Sequence, residues 1–136
     1  MLLITSIRAA DTPEKIQFNR DIRPILSENC FHCHGQDANH REAKLRLDDR
    51  DNAVVDRDGR FVIAPGKPEE SELIFRLLSN DPEEQMPPPK SNKHVTPDQT
   101  ALLRRWVAEG ATYEKHWAFI APVRAPVPRP VSQLSA

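Results

Sequence analysis

Cys30-Phe31-His32-Cys33-His34 is the stretch that decides how this chain is read. It is Cys-x-x-Cys-His, the pattern of c-type haem attachment. Two thiols separated by two residues can reach the two vinyl groups on one edge of a haem and form thioethers. The imidazole that follows the second thiol is then held beneath the iron as an axial ligand. Cys30 and Cys33 are therefore candidates for covalent attachment, and His34 for iron ligation. Five residues also match by chance, and other chemistries use a cysteine pair. A structural zinc site takes four ligands, typically as two separated pairs. The chain has no second cysteine pair, and His32 and His34 lie too close to the thiols to form an ordinary second half. A thioredoxin-like redox pair sits within a βαβ pattern, and no such pattern surrounds Cys30. A disulfide across two residues would stabilise little, because the loop it closes is so short.

An iron held by His34 has a second axial position. A methionine there raises the potential and suits electron transfer, whereas an open position suits small-molecule binding or peroxide chemistry. The chain has two methionines, and Met1 is the start residue, so Met86 is the candidate thioether ligand. It stands in Met86-Pro87-Pro88-Pro89, where the prolines restrict the backbone and lower the entropy lost in holding the sulfur in place. Taken alone, a methionine in such a place is more often a gap-filler in a core. His94, in the same loop, is the chief rival ligand. His32 lies inside the attachment loop, His40 close to it in sequence, and His116 at the edge of a linker.

Composition sets the bounds. At 136 residues the chain is one domain with tails. A net charge of −1 gives no reason to expect a nucleic-acid or anionic-membrane partner. With 38% hydrophobic residues and 13 prolines the protein core is small, and a bound haem would supply a large apolar body to pack around. No stretch is apolar and long enough to span a membrane. Met1–Ala10 resembles the last part of a secretory signal peptide, without a basic n-region and with a short apolar run. A plain tail is the other reading of residues 1–17.

Phe18, Ile22, Ile25 and Leu26 fall on one helical face. Pro24 belongs in a first turn, so a helix is expected from near Asp21 to Cys30, presenting the thiols at its end. Leu45 and Leu47 alternate with charged neighbours, as in a short extended segment. Val54-Val55 and Phe61-Val62-Ile63 flank Asp58-Gly59, a turn pair, which predicts a small β-hairpin. Pro68 to Ser79 reads as a second helix with acidic residues at its start and Leu73, Ile74, Leu77 and Leu78 as its stripe. Thr96 and Gln99 match a capping box, Pro97 suits the first helical position and Gly110 the C-terminal cap. That third helix buries Leu102, Leu103, Trp106 and Val107 and is expected to cross the first, with Arg104 and Arg105 on its solvated face. Pro122, Pro126, Pro128 and Pro130 mark residues 117–136 as a linker, which gives the chain the look of a front module of a longer protein.

With these parts in place the chain resembles class I c-type cytochromes, and more narrowly the planctomycete cytochrome C domain. The matching stretches are Phe18 to Leu26, the motif at 30–34, Leu45 to Asp48, Pro65 to Leu73, Met86 to Pro89, Leu103 to Trp106 and His116 to Phe119. The resemblance covers about residues 18–120. It implies covalent haem at Cys30 and Cys33 with His34 as an axial ligand, and Met86 carries over as the other. In that family further domains follow, which suggests that this chain is a fragment, and the proteins are secreted.

The expectation is therefore a mostly α, class I cytochrome c-like fold: three or more helices around one covalent haem c, in a domain at 18–116. Its expected work is electron transfer with His34/Met86 ligation, in a periplasmic or otherwise exported protein. The partner would be a redox protein or an attached downstream domain. No paired acid and base suggests an enzyme. The rivals are a peroxidase-like or gas-binding haem site with Met86 off the iron, and a non-haem CxxC interaction module.

Overall fold

The computed structural model describes residues 14–125. The signal-like start and most of the Pro-rich stretch, including Pro126, Pro128 and Pro130, lie outside those residues. Among the described residues the fold is helical and has no sheet.

The first helix starts earlier than its sequence signals suggest, and in a wider form. Phe18–Ile22 is one π turn, closed by the Arg23 N–H on the Phe18 carbonyl. Pro24 has no N–H to return to the Arg20 carbonyl, and a widened turn accommodates that gap. The regular helix α1, Arg23–Asn29, then carries Pro24 in its first turn. Cys30 breaks the helical dihedrals, and α2, Phe31–His34, adds a single turn.

The segment after the motif folds back on it. Glu42 N–H donates to the Cys33 carbonyl and Leu47 N–H to the His34 carbonyl, each at 2.8 Å. These bonds satisfy carbonyls that a helix end leaves without partners. Leu45 and Leu47 are both buried, with Arg46 between them less so. The alternation read from the sequence is thus present, but in a looped chain rather than a strand. A short helix, α3 (Arg50–Ala53), follows, its start capped by the Asp49 side chain on the Asp51 N–H.

The expected hairpin reduces to its turn. One antiparallel bridge, Asp56 to Phe61, encloses Asp58-Gly59, and Phe61 bridges onward to Ser71. Phe61 and Val62 spend their carbonyls elsewhere, on the N–H groups of Glu72 and Leu73, both at 3.0 Å. Those are the first donors of α4, Glu72–Leu78. The helix expected over 68–79 is therefore split into a 3₁₀ turn, Pro68–Glu70, and α4. Ser71 sits at the break in extended conformation, buried, its Oγ accepting from Ala64 N–H and donating to the Lys67 carbonyl, both at 2.9 Å. A hydroxyl that competes with the helical ladder favours such a boundary. Leu73 and Ile74 are buried as expected, whereas Leu78 is exposed.

The last helix, α5, spans Pro97–Ala108 and has the full capping box between Thr96 and Gln99. It ends in a Schellman motif: Gly110 N–H bonds the Val107 carbonyl and Ala111 N–H the Trp106 carbonyl. Gly110 takes φ +101, a conformation that suits glycine. Leu103, Trp106 and Val107 are fully buried. Trp106 lies on Phe18 at 5.6 Å between ring centroids, so α5 meets the first helix at its opening π turn. Tyr113, from the chain beyond α5, completes the cluster at 4.4 Å from Phe18 and 5.2 Å from Trp106. Its hydroxyl donates to the Leu47 carbonyl at 3.0 Å, joining the end of the domain to the loop behind the motif.

Candidate functional site

One cavity of about 640 Å³ opens between the motif, the loop 43–62, α4 and the Met86 segment. Cys30, Cys33 and His34 line one part of its wall, and Met86 with Pro87 and Pro88 lines another. The four residues singled out from the sequence thus share one cavity, although 52 positions separate His34 from Met86. His32 also lines it; His94 does not, and is exposed.

Each side chain has a local cause for its place. Cys30 N–H bonds the Leu26 carbonyl at 2.8 Å, which ties the first thiol to the end of α1. Cys33 and His34 N–H both bond the Cys30 carbonyl, at 3.1 and 2.8 Å, so the α2 turn sets both residues against the cavity. Met86 N–H bonds the Arg76 carbonyl at 3.0 Å and fixes its loop to α4. The Met86–Pro87 bond is cis.

The first thiol of the motif sits in a largely buried setting. Burial pushes the Cys30 thiol up to about 12, with the nearby Cys33 adding to the effect. Reactive thiols lie in the opposite direction, with lowered values that supply a thiolate. Burial also lowers the His34 imidazole below its usual 6.5, with the Glu42 main chain acting against the shift. His34 is thus neutral at pH 7, the form that ligates metals. Its Nδ1 is buried and has no hydrogen-bond partner. A buried polar atom without a partner costs about 1–3 kcal/mol, so this atom is one that a bound group or a water could stabilise.

The wall suits a mostly apolar body that carries some negative charge. Leu45, Leu47, Phe61, Val62, Leu73 and Leu77 supply apolar surface, and the cations Arg57, Arg60, Arg76 and Lys93 stand around it. The volume falls within the roughly 300–1,000 Å³ common for cofactor and ligand pockets. Among the described residues no three His, Cys, Asp or Glu side chains converge as a metal site. The residues fit a haem.

Residues 30–90 match the family model described as Planctomycete cytochrome C. That stretch is similar to the planctomycete cytochrome C family. The matched span begins at Cys30 and contains the whole motif, both cavity-lining arginines of the 57–60 turn, and Met86. The aromatic cluster of Phe18, Trp106 and Tyr113 lies outside it. No curated protein and no solved structure matches the chain. No described helix is long and apolar enough to cross a membrane.

Sequence reasoning did not single out five residues that shape the site. Arg57 and Arg60 flank the Asp58-Gly59 turn, and the loop that carries them to the cavity is tied by Ile63 N–H on the Ala53 carbonyl and by the Phe61 and Val62 carbonyls on α4. Phe61 and Val62 were read as strand residues, and they serve as wall instead. Gly35 has a part too, since its lack of a side chain lets the chain leave α2 close to the Phe31 carbonyl.

Proposed function

We propose that this cytochrome C domain holds one covalent haem c and serves as an electron carrier in an exported protein. The observation that carries the reading is the meeting of Cys30, Cys33, His34 and Met86 on one cavity of cofactor size. The domain would span residues 18–116, fold as a class I cytochrome c and be joined through 117–136 to a further domain or redox partner. When bound, the haem supplies one-electron chemistry through its iron.

In this reading the residues of the cavity divide the work of holding that group. Cys30 and Cys33 would hold the haem, their thiols standing as the groups for thioether attachment. His34, half-buried, would hold the iron through an imidazole nitrogen. Met86 would offer its sulfur, on a loop restrained by prolines and by its bond to α4. A thioether ligand favours the reduced iron and raises the potential. The apolar wall would lower the local dielectric around the group, which tunes the potential further.

Carbon monoxide addition to the reduced protein tests the assignment. With Met86 in place, the spectrum should change little under native conditions. In Met86→Ala the gas should bind readily and the potential should fall. Ready binding by the parent protein would instead support a gas-binding or peroxidase-like site. Met86→Ala spectra identical to those of the parent would return the assignment to His94.

A further inference from the structure

Four cations stand on the cavity wall, and their surroundings differ. Arg76 is already balanced: its Nε bonds Glu72 Oε1 at 2.7 Å and a terminal nitrogen reaches the Glu84 carbonyl at 3.1 Å. Arg60 and Lys93 are exposed, where water and salt screen their charge. Arg57 is half-buried and has no acidic partner within ion-pair distance among the described residues.

Arg57 is held by neutral groups alone. One terminal nitrogen donates to Asn52 Oδ1 at 3.1 Å and to the Asn52 carbonyl at 3.5 Å, and the other to the Ala43 carbonyl at 3.5 Å. Asn52 Oδ1 also accepts the Arg46 N–H at 2.7 Å, which fixes the amide that orients the guanidinium. The Arg57 Nε is buried and donates to nothing. A guanidinium stays charged at any ordinary pH. Keeping one partly out of water, with an N–H unused and no counter-charge, is costly. The chain therefore places a pre-oriented, uncompensated cation beside a cavity whose other surface is largely apolar.

A haem brings two carboxylates, its propionates, on a different edge from the vinyl groups. We infer that Arg57 is a carboxylate-binding residue of this cavity and pairs with a haem propionate. The assignment rests on the haem reading above. A guanidinium paired with a carboxylate makes a short, charge-assisted bond. It also offsets a negative charge near the iron, which favours the reduced state. Arg57 is thus a positioning and tuning residue, acting on the iron through the propionate.

The test is the reduction potential of the haem-loaded protein at fixed pH and ionic strength. Arg57→Gln should lower the potential, Arg57→Lys should recover most of the loss, and Arg60→Gln should change it less than Arg57→Gln does. A loaded Arg57→Gln protein with the parent potential would overturn the inference, as would an equal drop in Arg60→Gln. Should Arg57→Gln not fold, proton NMR of the haem substituents in the parent reads the same pairing. At least one propionate should then titrate below the ordinary carboxylate range, and both titrating within it would overturn the inference. Failure of the haem reading is distinguishable, since the parent itself would then carry no haem.

Discussion

Gly35 directly follows the Cys-x-x-Cys-His motif, and the space around it is already full. A Cβ there would press into the main-chain carbonyl of Phe31, which cannot yield without moving the α2 turn. Gly35→Ala should therefore destabilise the domain by about 1–3 kcal/mol, the usual cost of overpacking. A denaturant midpoint equal to that of the parent would show that the turn tolerates the shift. Tyr113 gives a prediction in pH. Burial raises its phenol above the ordinary 10.0, with Asp48 adding to the effect. The folded state thus favours the protonated phenol, and the associated stability is present below pH 10 and lost as pH rises toward the folded value. Each pH unit in that window costs about 1.4 kcal/mol for one whole proton. Tyr113→Phe removes the titrating group, so its stability should fall less steeply with pH above 10 than that of the parent. Equal slopes would place the alkaline loss elsewhere.

At the scale of elements, the contact between α5 and the opening turn of the first helix holds the two ends of the domain together. Trp106 is its largest side chain, 2% exposed, with its indole N–H on the Thr112 carbonyl at 3.0 Å. Replacing it by Ala should cost about 3–5 kcal/mol. In the proposed holoprotein the thioethers should survive that change, while the far-red band of a ferric iron–Met bond weakens. A denaturation midpoint unchanged from the parent would mean that this contact is not a main support of the fold. The sequence made α5 legible down to its caps, because capping boxes and Schellman glycines are local signals. It made the crossing legible only in outline. The stripe pointed to a partner helix, but the actual meeting point is Phe18, at a turn widened by Pro24. The split at Ser71 was hidden for a related reason. The donors of Glu72 and Leu73 are taken by Phe61 and Val62, and hydrogen bonds between separate loop segments leave no periodic trace.

For the whole molecule, the candidate site was more legible than the scaffold. Cys30, Cys33 and His34 form a contiguous motif, and Met86 stood out because the chain offers so few thioethers. That these residues share a cavity could not be read from spacing, since it depends on the path of loop 43–62 and on α4. Arg57 could not be singled out at all: an arginine beside Asp56 and Asp58 looks solvated until its neutral partners are known. The small protein core inferred from composition agrees with a fold whose short helices leave a large cavity between them. In the proposed holoprotein that volume is filled by a covalently held haem. The most direct test is the intact mass of the full chain, made with haem-attachment machinery and measured after denaturation and acidic organic extraction. The account predicts the polypeptide mass plus one haem. Recovery of the bare polypeptide mass, with any haem lost to the organic phase, would contradict it.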